Sequence, residues 1–282
     1  MGGLPQLARI ESLAGEFDVR SEAVMSGIER IRDFLLARAR VTASFTGSDA
    51  AAGVARDAVA EWLGRMRSDA IVEAPVGFQP FERPPCEGLS APTQVAYACM
   101  VLPAPHLSDA DEALITLGTQ LLEFDYYLPE VRFKGNAYGV YCMFDAYGRR
   151  LTLLSYRDPE PGRSLDVFAA TPDFIRGAAW SEADLHRTII ATAKNDFLPL
   201  RPGEVTGLAL QRHLTGYTPE RQAARYRRLK AATVSEVRRA LLACFTIGLA
   251  RAATCVVAGG ETLDRVNHSR PDHPLAIRAI RK

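Results

Sequence analysis

Between Ala74 and Pro92 the chain carries Pro75, Pro80, Pro84, Pro85 and Pro92. Each proline fixes φ and lacks a backbone N–H, so a run this dense interrupts helix and strand ladders alike and marks a linker. It divides the chain. Residues 1–73 read as the C-terminal part of a preceding α/β domain, 74–93 as the linker, 94–265 as a final α/β domain and 266–282 as a polar tail. With 282 residues the chain suits one large or two smaller domains, and either arrangement can bury a substantial core.

Before the prolines, Val24, Ile28, Ile31 and Leu35 fall at helical spacing within Ser21–Ala39, which predicts a helix with one buried stripe. Arg40–Thr46 alternates with Val41, Ala43 and Phe45 on one face, the pattern of a half-buried strand. Ser48 is placed to cap a helix running through Val54, Ala58 and Leu63 to about Arg67. Helix, strand and helix in this order resemble the end of an α+β unit.

After the prolines, Gln94–Leu102 reads as a strand. Ser108 with Asp111 predicts a capping box, followed by a stripe of Ala110, Leu114, Leu117, Leu121, Phe124 and Leu128 that stops at Pro129. Val140–Tyr147 and Leu151–Arg157 alternate as a β-hairpin joined through Gly148, Arg149 and Arg150. Helical patterns cover Leu165 to Arg176, Ser181 to Phe197, Thr218 to Lys230 and Val234 to Ala250, and Ala253–Ala258 is an apolar strand. The fold class expected is α+β, one antiparallel sheet with helices on one face.

Charge excludes some functions. Thirty-four Lys and Arg against 33 Asp and Glu give a net charge of +1, so no domain-wide field draws the chain to nucleic acid or an anionic membrane. The basic run Arg221–Lys230 reads as the wet side of an amphipathic helix. Five widely spaced cysteines, Cys86, Cys99, Cys142, Cys244 and Cys255, suit reduced, buried thiols. With no signal-peptide pattern at the N-terminus, the expected compartment is the cytoplasm. No His-Glu-x-x-His or His-x-x-Glu-His helix is present, and Gly259-Gly260 reads as a turn rather than a phosphate loop.

The segment Val131-Arg132-Phe133-Lys134-Gly135-Asn136-Ala137-Tyr138-Gly139 holds the chemistry of most interest. Arg132 offers a rigid fork of donors and Tyr138 one hydroxyl, set either side of the Gly135-Asn136 corner. Two donors converging on one point make a substrate clamp. The same residues also fit a helix-to-strand turn with a surface arginine and a packed tyrosine.

This segment, then Ser155-Tyr156-Arg157-Asp158-Pro159 and later Leu214-Thr215-Gly216-Tyr217-Thr218-Pro219-Glu220-Arg221, resembles the C-terminal half of the insulinase (pitrilysin) family of zinc metallopeptidases. Within that family it is most similar to the presequence-protease and falcilysin branch, with Asn136 where the branch has a second glycine. Asn is the non-Gly residue that best tolerates a left-handed backbone, so the corner is expected to survive.

The resemblance implies two α/β halves closing around an unfolded peptide, with zinc on the N-terminal half and none on this one. It assigns Tyr138 to oxyanion stabilisation and substrate binding, Arg132 to the substrate main chain, and Gly135 and Asn136 to substrate binding beside them. Arg157 and Asp158 read as an ion pair or strand-end cap in preference to a substrate contact. The partners implied are the N-terminal peptidase half, in the same longer chain or as a separate subunit, and the peptide. A free-standing metal-free subunit and a peptide-binding module are the alternatives.

Overall fold

The computed structural model describes residues 4–66, 68, 84–196 and 199–280. In chain order its elements are α1 (Leu4–Gly15), α2 (Phe17–Leu35), a 3-10 turn (Arg38–Arg40), α3 (Asp49–Gly64), β1 (Cys86–Ser90), β2 (Ala96–Pro103) and α4 (Glu112–Leu122). A π-helical segment (Glu123–Lys134) continues α4 and is followed by β3 (Gly139–Asp145), β4 (Arg150–Asp158), α5 (Pro161–Ala169) and α6 (Thr171–Gly177). Then come α7 (Glu182–Asp196), α8 (Pro202–Thr215), α9 (Pro219–Lys230), α10 (Val234–Leu249), β5 (Ala253–Ala258), α11 (Gly260–Ser269) and β6 (Ala276–Ala279). They form two units, Met1–Phe78 with Pro199–Pro219, and Gln79–Leu198 with Glu220–Lys282.

The first unit is helical among the described residues. The Ser48 hydroxyl caps α3 as expected, accepting from the Ala51 N–H at 3.3 Å. Two readings fail here. Ile28, Ile31 and Leu35 are exposed, because a helix buries its stripe only against a partner surface and α2 has no buried residue. Val41–Phe45 alternates without forming a strand, since the described part of this unit supplies no strand to pair with it. Its loop is held instead by Ser44, whose hydroxyl donates to the Thr206 carbonyl of α8 at 3.3 Å.

The second unit is built on one six-stranded sheet of order β3-β4-β2-β5-β1-β6. β3, β4, β2 and β5 pair antiparallel, whereas β1 lies parallel to both β5 and β6. The sheet is thus mixed, not antiparallel throughout. β1 lies inside the expected linker, and β6, after α11, lies inside the expected polar tail. Pro84 and Pro85 precede β1 and Pro92 follows it, so none removes a donor from within the strand. Residues 74–83 of the Pro-rich stretch lie outside the described residues.

Alternation decides the two faces. Ala96, Ala98, Met100 and Leu102 of β2 and Leu151 and Leu153 of β4 are buried beneath the helices, α4, α5, α10 and α11 among them. The opposite face carries Tyr97, Cys99 and Val101 of β2, Tyr141 and Met143 of β3, and Cys255 and Val257 of β5, all exposed or half-buried. Gly118 of α4 lets α10 come close: a Cβ there would lie 2.6 Å from the Leu241 side chain.

α4 begins at Glu112, not at Ser108. The Ser108 hydroxyl lies 2.9 Å from His106 Nδ1, and the Asp109 carboxylate accepts from the His106 N–H at 2.7 Å, so these groups close a preceding turn and Ala110 stays exposed. Pro129 does not end the helix. The wider π turns carry the chain past it to Lys134, and they shift the buried positions from Leu117 and Leu121 to Tyr127 and Val131, leaving Phe124 66% exposed.

The buried Glu112 carboxylate is held across the core. Arg225 Nε of α9 donates to it at 2.8 Å and the Thr116 hydroxyl at 3.0 Å. The basic run of α9 is therefore only partly a solvated face. Gly259-Gly260 is not a bare turn, because it opens α11.

Candidate functional site: the helix-to-strand corner

Arg132 sits in the last turn of the π-helical segment and Tyr138 one residue before β3. The chain reverses between them in a few residues. Gly135 takes an ordinary φ of −88° and Asn136 takes the left-handed turn at φ 58°. The departure from glycine at 136 thus falls where asparagine is tolerated.

Gly135 is required for space, not for φ. A Cβ there would lie 2.5 Å from the Val131 carbonyl oxygen and 2.7 Å from Arg163 Nη1. Arg163 of α5 braces the corner from behind, donating to the Glu130 carbonyl and pairing with the Glu130 carboxylate at 3.3 Å. The corner closes where the Ala137 N–H donates to the Val131 carbonyl at 3.2 Å, with both residues buried. Arg132 and Tyr138 each follow one of that bond's two residues in the chain. Both side chains are exposed, Tyr138 at 65%.

The second motif meets the first. The Tyr138 N–H donates to the Arg157 carbonyl at 3.4 Å, and the Arg157 guanidinium lies 5.9 Å from the centre of the Tyr138 ring. Arg157 has φ 50° and occupies the irregularity in β4 where the β2 register slips. Asp158 is buried and its carboxylate accepts from the Glu160 N–H at 2.8 Å, a strand-end cap that leads into α5. Arg157 therefore faces Tyr138, whereas Asp158 is occupied in shaping the turn.

Tyr156 extends the site in a way the residue pattern did not single out. Its ring stands edge-to-face with Tyr138 at 5.9 Å and with Tyr97 at 5.3 Å, forming a row of three rings from the corner onto the open sheet face. The signal lay inside the Ser155–Pro159 motif: Tyr156 pairs with both Gly139 and Tyr97. A groove of about 770 Å³ between α5 and α11, lined by Arg163, Asp166, Asp264, Arg265 and His268 among others, includes neither Arg132 nor Tyr138. Among the described residues no three His, Cys, Asp or Glu side chains converge as a metal site requires, and no helix is long and apolar enough to cross a membrane.

Residues 87–238 match the family model described as the PreP C-terminal domain. The chain belongs to that family. Among curated relatives, the chain is 27% identical over 280 residues to Presequence protease 1, chloroplastic/mitochondrial, of Arabidopsis thaliana, covering 96% of this chain and 25% of that protein. It is 30% identical over 190 residues to the mitochondrial presequence protease of Eremothecium gossypii, covering 67% of this chain and 18% of that protein. The chain thus spans about a quarter or less of these relatives.

Among solved structures, the peptidase M16 inactive domain from Pseudomonas fluorescens superposes with a TM-score of 0.55 at 16% identity, over 73% of this chain and 51% of that one. A protease from Helicobacter pylori gives 0.59 at 10% identity, over 75% and 53%. At such identities the likeness is one of fold. The fold is shared with that peptidase M16 domain and with the Helicobacter pylori protease, and the family is that of the PreP C-terminal domain.

Proposed function

We propose that this chain is the C-terminal, non-metal-binding part of a zinc metalloendopeptidase that degrades unfolded peptides. Zinc, in this reading, is held by the N-terminal half, where it would polarise the scissile carbonyl and activate water. The partners are that half and the peptide, with neither nucleic acid nor membrane, and the proposed compartment is the cytoplasm.

The observation that carries the reading is the braced corner. Two donors of different reach are exposed on either side of the closed corner, while the residues that precede them, Val131 and Ala137, are buried. Arg132 holds main-chain carbonyls of the peptide through its fork of donors. Tyr138 gives one hydroxyl to the oxygen on which charge develops as the carbonyl is attacked. Gly135 and Asn136 shape the corner that presents both, and rigidity matters because a donor aimed in advance needs no reorganisation during the reaction.

Tyr138→Phe in the full enzyme removes one such donor. Turnover should fall on the order of a hundredfold or more with KM little changed. Arg132→Ala should act mainly on KM. Unaltered turnover in Tyr138→Phe would remove the phenol from the mechanism.

A further inference from the structure

Cys99 of β2 and Cys255 of β5 stand directly opposite one another in the antiparallel register. Both are half-buried and both belong to the open sheet face. The other three thiols are placed differently. Cys142 and Cys244 are buried, and Cys86, opposite Thr254, directs its sulfur to the His273 carbonyl at 3.8 Å.

Two backbone bonds fix the phase of the pairing. The Cys142 N–H of β3 turns away from β4 to the Glu123 carboxylate at 2.8 Å, and the Thr254 N–H of β5 turns to the Pro85 carbonyl, ahead of β1, at 2.8 Å. Backbone groups alternate in direction along a strand. Counting from Cys142 through β4 turns Cys99 toward β5, and counting from Thr254 turns Cys255 toward β2. Both counts make Cys99 and Cys255 a hydrogen-bonded pair, with Cα atoms about 5.5 Å apart in such pairs. Disulfides close over Cα separations of roughly 4.4–6.8 Å, so the backbone is already in range and the Cβ atoms need only draw together by about 1 Å.

We propose that Cys99 and Cys255 form a dithiol that a peroxide closes into a disulfide across the two central strands. Burial pushes both thiols up, and at Cys255 the carboxylate of Glu87, directly opposite on β1, adds to it. Either sulfur can meet the oxidant, because the two stand in equivalent positions across the pair. From Cys99, the thiolate attacks the peroxide, forming an S–O bond as the O–O bond breaks, and the hydroxide released takes up the proton that the thiol gave up and leaves as the first water. The Cys255 sulfur then attacks the Cys99 sulfur. The S–S bond forms, the S–O bond breaks, and the hydroxyl departs with the Cys255 proton as a second water. Two thiols lose two electrons in all, and hydrogen peroxide is reduced to two waters.

The test treats the reduced chain with stoichiometric hydrogen peroxide, alkylates it under denaturing conditions and maps its peptides by mass spectrometry. Two of the five thiols should be lost to a single Cys99–Cys255 linked peptide, with Cys86, Cys142 and Cys244 still alkylated. Cys255→Ser, checked for folding by circular dichroism, should instead trap a dimedone-reactive sulfenic acid at Cys99. Cys99→Ser should trap the sulfenic acid at Cys255 in the same way. A linkage through Cys86, links only between chains, or oxidation of both sulfurs without a linked peptide would each overturn the proposal.

Discussion

Tyr138 is attached to Arg157 at two points, through its N–H to the Arg157 carbonyl at 3.4 Å and through its ring, 5.9 Å from the guanidinium. Arg157 makes both contacts from a left-handed backbone, φ 50°. A β-branched residue is strongly disfavoured there, so Arg157→Val should destabilise the unit by roughly 1–3 kcal/mol in urea unfolding. Arg157→Gly relieves that backbone and should stay within about 1 kcal/mol of the parent.

The corner separates two demands that the Gly135-Asn136 pair combines. Gly135→Ala places a methyl against the Val131 carbonyl and Arg163, and should cost on the order of 1–3 kcal/mol in the same unfolding measurement. Asn136→Gly should be nearly neutral, whereas Asn136→Ala should cost about 1 kcal/mol, because only φ is at stake there.

Glu112 is 4% exposed and its bond to Arg225 joins α4 to α9. Arg225→Met leaves a buried carboxylate without its cation and should cost about 3–5 kcal/mol in denaturant unfolding. Adding Glu112→Leu should recover most of that loss, because the desolvation cost goes with the charge.

Glu236 closes the capping box of α10 with Thr233. The Arg228 guanidinium, then the Thr233 hydroxyl and N–H, hold its carboxyl down to about 2. Its folded value lies below the unfolded one, so its contribution is complete above the ordinary carboxylate range and is lost as pH falls toward about 2. An NMR titration should place Glu236 near that value, and Arg228→Ala should move it upward.

Periodicity made much of the second unit legible. The hairpin over Val140–Tyr147 and Leu151–Arg157 corresponds to β3 and β4, and Val234–Ala250 to α10, because each buries its own alternating or helical face. β1 and β6 were hidden because they are short and their order comes from pairing with β5 and with each other. The π-helical segment was hidden because its burial pattern departs from the ordinary helical period after Leu122. At the site, the residue types and spacing of Arg132 and Tyr138 placed both on one corner. The contributions of Tyr97, Tyr156 and Arg157 depend on strand register, which no local window contains.

The central claim is that this chain supplies donors to a metal centre it does not hold. Zinc content and peptide hydrolysis, measured on the purified chain alone and after mixing with a separately produced N-terminal half, test it most directly. The account predicts no stoichiometric zinc and no hydrolysis by the chain alone, with zinc-dependent hydrolysis once the N-terminal half is present. Stoichiometric zinc and peptide hydrolysis by the isolated chain would contradict it.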